Sequence, residues 1–92
     1  MPQEIVPASP WGTRLRWYRE NVRQETREEF AEALNRLAYS MGENVACGAR
    51  LIAGWEAGEI QWPRAVYRRL LEAMEAPLPE PEVLGGRFNY IL

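Results

Sequence analysis

The sequence predicts an all-α fold, a compact bundle of four or five helices, from three observations. Apolar residues recur at spacings of three and four in separate stretches, Thr26-Arg27-Glu28-Glu29 is a helix-starting capping box, and Gly42, Gly58 and Pro63 punctuate the stretches. The 92 residues, 47% of them hydrophobic, suit one domain around a single core.

Residues 1–10 carry Pro2, Pro7 and Pro10 without periodicity and read as a flexible N-terminal arm. The first helix starts near Trp11, and its spacing of four, three and four puts Trp11, Leu15, Tyr18 and Val22 on one face. In the capping box the Thr26 hydroxyl accepts from the Glu29 amide while the Glu29 carboxylate reaches back, so the second helix starts at Arg27. Its apolar stripe is Phe30, Ala31, Leu34, Leu37, Ala38 and Met41, and Gly42 takes the left-handed turn that ends it. A third helix over 49–57 buries Ile52 and Trp55 and stops at Gly58; Gly54 within it costs about 1 kcal/mol relative to Ala and points to a close backbone approach or to simple tolerance. Pro63 suits the first position of a fourth helix, with Val66, Tyr67, Leu70, Leu71 and Met74 as its core stripe. Pro77, Pro79 and Pro81 make residues 77–92 a proline-rich connector leading into an apolar tail of Val83, Leu84, Phe88, Tyr90, Ile91 and Leu92.

Three absences exclude whole classes of chemistry: the chain has no His, no Asp and no Lys. A structural zinc site needs about four Cys or His ligands, and Cys47 is the single cysteine, so neither zinc nor an internal disulfide is expected. His-based triads and a Walker lysine are impossible. Glu28, Glu29 and Glu32 lie on a predicted exposed face and read as solvated charge rather than as a catalytic pair. The expectation is a non-enzymatic, cofactor-free, cytoplasmic protein, with no apolar run long enough to span a bilayer and no signal peptide.

The net charge of −2 is unevenly distributed. Residues 13–69 hold ten Arg and eight Glu, residues 1–12 one Glu, and residues 70–92 one Arg and four Glu. The middle is therefore slightly basic, and well short of the charge of a strong polyanion binder.

The ordered combination of these features resembles the Cro/C1-type (XRE-like) family. In that family the second helix opens with a T-Q-E-E-L-A-like string and the third ends in W-E-x-G; here stand Thr26-Arg27-Glu28-Glu29-Phe30-Ala31 and Trp55-Glu56-Ala57-Gly58. Gly58-Glu59-Ile60-Gln61-Trp62-Pro63-Arg64-Ala65-Val66-Tyr67-Arg68 is similar to a G-x-I-R-W-P-x-x-x-Y-R segment found in a bacterial subgroup with a long second helix. Relative to the usual family spacing, about eleven extra residues separate Ala31 from Ile52, close to three helical turns. The resemblance covers residues 12–76 and implies a lambda-repressor-like helix-turn-helix domain over 11–76. It also implies that Arg19 pairs with Glu56 as a structural ion pair.

The resemblance implies double-stranded DNA as partner, with the third helix in the major groove and the second crossing the phosphate backbone. Arg27, at a helix N-terminus, is then a phosphate contact. The outward candidates of the third helix are Gly48, Ala49, Arg50, Ala53 and Gly54, of which only Arg50 can grip guanine O6 and N7, worth about 1 to 3 kcal/mol of discrimination. Asn44 offers an amide contact from the preceding loop, and Arg64 and Arg68 a grip on flanking phosphates. Each has a plainer reading as solvated surface. Trp62 reads as core or staple and Cys47 as buried apolar filler.

Readout this thin leaves an alternative open: a protein-binding module of the same fold, such as a small phage or plasmid regulator that binds a host transcription or toxin protein. The apolar tail then serves as a fifth helix, a homodimer seam or a partner strip. The expected function remains a repressor-like, nucleoid-associated transcriptional regulator, with a length that leaves no room for a further effector domain.

Overall fold

Helix α1 (Trp11–Trp17) begins the core by burying Trp11 and Leu15. The computed structural model describes residues 10–79, which form four α-helices and no strand; the expected arm, apart from Pro10, and the apolar tail with its dimer seam lie outside the described residues. Past Trp17 the chain continues as a π-helical stretch, Tyr18–Arg23, ending at Gln24 in the left-handed region with φ 55°. This overturns one expectation: Val22 is not on the apolar face but 58% exposed, and Arg19 is buried instead. Bonds from i to i+5 take roughly one more residue per turn, so the spacing that holds up to Tyr18 fails beyond it.

Helix α2 (Arg27–Ser40) starts with the capping box complete: the Glu29 amide donates to Thr26 Oγ1 (3.1 Å) and the Thr26 amide to Glu29 Oε1 (2.8 Å). Phe30, Ala31, Leu34 and Ala38 are buried and Leu37 half-buried, but Met41 is exposed because the helix ends one residue earlier and Met41 caps it. Gly42 follows with φ 77°. Residues 41–48 make a longer connection to α3 (Ala49–Glu56) than the three or four residues of a tight helix-turn-helix turn. Asn35 anchors this connection, its Nδ2 donating to the Cys47 carbonyl (2.9 Å) and its Oδ1 accepting from the Cys47 amide (2.7 Å).

Helix α3 buries Ile52 and Trp55 and gives way to Gly58 at φ 82°. Trp55 is the centre of the core: its ring lies 5.8 Å from Trp11 and meets Tyr67 edge-on at 5.3 Å. Helix α4 (Ala65–Ala73) starts two residues later than Pro63 suggests; Pro63 is buried ahead of the helix and Arg64 caps it. Tyr67, Leu70 and Leu71 form its buried stripe, with Val66 and Met74 half-buried at the margins. The chain then returns along α1. Tyr18 Oη donates to the Met74 carbonyl (3.2 Å), Trp11 Nε1 to that of Pro77 (2.8 Å) and Arg14 Nη2 to that of Leu78 (3.0 Å). No helix among the described residues is long and apolar enough to cross a membrane.

Candidate nucleic-acid interface

The floor of the candidate site is a buried carboxylate between two arginines. Arg19, carried inward by the π-helical stretch, donates to Glu56 at the end of α3 through Nε (2.6 Å to Oε2) and Nη2 (3.1 Å to Oε1), with side chains 6% and 3% exposed. Its third nitrogen, Nη1, donates to the Glu25 carbonyl (2.8 Å). The hydrogen bond to Glu56 raises the Arg19 pKa above its usual value against the opposing effect of burial, so the buried guanidinium keeps its charge. Arg27 Nε reaches the same carboxylate (3.0 Å to Oε1), tying the start of α2 to the end of α3.

Above this floor lies an open cleft of about 480 Å³ between α1, the first turn of α2 and the start of α3. Four of the residues expected to touch DNA line it together: Arg27, Ala49, Arg50 and Ala53. Arg50 is exposed, and the alanines beside it leave room at the helix start. Gly48 is the exposed N-cap of α3, and a Cβ there would meet nothing within 4 Å.

The other candidates fall elsewhere. Gly54 is not an outward residue: it is buried, and a Cβ on it would come within 3.1 Å of Ile60 Cδ1, because the chain after α3 folds back over it. Asn44 is exposed in the 41–48 connection and does not line the cleft. Arg64 lies 5.9 Å over the Tyr67 ring. Arg68 donates to the Pro63 carbonyl and stands 4.6 Å over the ring of Trp62, so its guanidinium is engaged within the fold. Trp62 is thereby a surface platform for a cation rather than a core residue.

Residues that sequence reasoning missed also line the cleft: Arg16, Glu20, Thr26 and Glu28. The i,i+4 spacing of Arg16 and Glu20 was visible, but only the packing of three helices reveals that both face one cleft. The Glu20 carboxylate is held below its usual pKa by its hydrogen bond from Arg16 and then by the charges of Arg16, Arg19 and Arg27. Four arginines thus stand against two glutamates on the lining. Cys47 is buried and away from the cleft, and burial pushes its thiol up to about 11. Comparison of the chain with protein-family models, curated proteins and solved structures finds no match.

Proposed function

We propose that the protein is a sequence-specific DNA-binding transcriptional regulator, repressor-like and of the Cro/C1 helix-turn-helix type, acting by binding rather than catalysis. The observation that carries this reading is the meeting of Arg27 and Arg50 in one open cleft, each at the N-terminal end of its helix, with only Ala49 and Ala53 beside them on α3. Helix N-termini add partial positive charge and amide donors to what the guanidinium groups supply. Arg27 takes a backbone phosphate, and Arg50, the exposed long side chain at the front of α3, reads guanine through two parallel hydrogen bonds. Ala49 and Ala53 let the helix approach base edges and touch thymine methyl groups.

A second reading has its own support. Glu20 and Glu28 line the same cleft, and carboxylates there favour a basic protein surface over DNA. Selection of bound duplexes from a random library at two salt concentrations, with Arg50→Ala alongside, separates the two. An enriched motif that weakens with salt and blurs in the variant supports DNA reading through α3; no enrichment at low salt moves the function to a protein partner.

A further inference from the structure

The cleft contains a chain of alternating charges that ends in two arginines. It runs Arg16, Glu20, Arg19, Glu56 and Arg27, with successive N to O distances of 3.0, 3.6, 2.6 and 3.0 Å. The buried members, Arg19 and Glu56, are fixed: all three Arg19 nitrogens are used, and Glu56 is almost wholly buried. The end members are different. Arg16 and Arg27 are each tied through Nε, and their terminal nitrogens have no hydrogen-bond partner among the described residues.

We propose that Arg16 is a third phosphate contact of this cleft and that Glu20 is its built-in competitor, occupying Arg16 in the free protein and yielding it to a phosphate of bound duplex. The proposal rests on the DNA-binding reading and adds α1 to the contact surface. Arg16 and Glu20 side chains are 58% and 45% exposed, so their pairing is weak and exchangeable. A phosphate oxygen offers the same acceptor to the same guanidinium and adds a second through bidentate contact. Glu20 feels Arg16, Arg19 and Arg27 at once, which marks its position as the one where the cleft's arginines hold an anion. Because an exposed pair positions Arg16 only slightly, loss of the Glu20 charge outweighs loss of its orienting bond. Removing it strengthens binding.

The test is a fluorescence anisotropy titration of a labelled random-sequence duplex between about 50 and 200 mM salt, using the full chain, Arg16→Ala, Glu20→Gln and Arg36→Ala, with helical circular dichroism as a folding check. Arg36 is an exposed cation of α2 outside the cleft and controls for net charge. Arg16→Ala is expected to bind about three- to tenfold more weakly than wild type at low salt, with a log–log salt slope shallower by about 1. Glu20→Gln is expected to bind about two- to threefold more tightly. If Arg16→Ala behaves like Arg36→Ala, or Glu20→Gln binds more weakly, the role of this pair is overturned while DNA binding stands. If the wild-type chain fails to bind duplex at low salt, the DNA reading falls and this inference with it.

Discussion

Gly12 lies against the end of α3 so closely that a Cβ on it would collide with the carbonyl oxygen of Trp55 and come within 2.7 Å of that of Glu56. The colliding atoms are backbone and cannot swing aside. Gly12→Ala is therefore expected to destabilise the fold by about 3 kcal/mol, at the upper end of overpacking effects. Gly48→Ala, where a Cβ meets nothing, should stay within about 1 kcal/mol. Urea unfolding of the two variants checks this; equal midpoints would mean that α1 does not need its close approach to α3.

The carboxylate of Glu56 holds two arginines, the buried Arg19 and the half-exposed Arg27 that is proposed to contact phosphate. Glu56→Ala leaves the buried Arg19 guanidinium without its two hydrogen bonds and should cost about 3 to 5 kcal/mol. Arg27 is 41% exposed, so Arg27→Ala should cost under about 1 kcal/mol of stability while weakening duplex binding at every sequence. Thermal melts and anisotropy on the same samples measure both effects. A large stability loss in Arg27→Ala would make it structural as well.

Asn35 holds the 41–48 connection by two hydrogen bonds to the backbone of Cys47. Asn35→Ala leaves that backbone unsatisfied beside the core, at a cost of about 1 to 3 kcal/mol. Faster amide hydrogen exchange at Cys47 is the expected local signature, and unchanged exchange there would show that the connection is held by other contacts.

The buried Cys47 thiol predicts an alkaline weakness. Its pKa is raised from 9.0 to about 11 by burial, so the folded state keeps the proton that the unfolded chain releases first. Its contribution to stability is complete below pH 9 and falls as pH rises to about 11, by about 2 to 3 kcal/mol. Cys47→Ala should lack this step. Tyr67, whose phenol is pushed up by burial and then by the charge of Cys47, is coupled to the thiol, so Cys47→Ala compared in a Tyr67→Phe background isolates the Cys47 step.

Features held within a few residues of chain were legible from the residues alone. The Thr26 and Glu29 capping box, the stops at Gly42 and Gly58 and the stripe from Phe30 to Ala38 depend on contacts three or four residues apart, and the structure has them where the spacing puts them. Helical periodicity also gave the all-α class and most of the core.

What tertiary structure decided is whatever depends on atoms distant in sequence or on a departure from 3.6 residues per turn. The π-helical stretch turns Arg19 inward and Val22 outward, and no spacing rule contains that extra residue. Ile60 folding over Gly54 removed it from the outer face, and Pro63 with Trp62 captured Arg68. The cleft itself unites residues 16 to 53 from three helices, so Arg16 and Glu20 became candidates only once those helices packed. Sequence by itself determined, to within about two residues, where helices begin and end, and most of the apolar surface they bury, because those are largely local balances of hydrogen bonding and hydrophobicity. The tertiary structure alone decided which charges share a surface, because that depends on how the helices pack against one another.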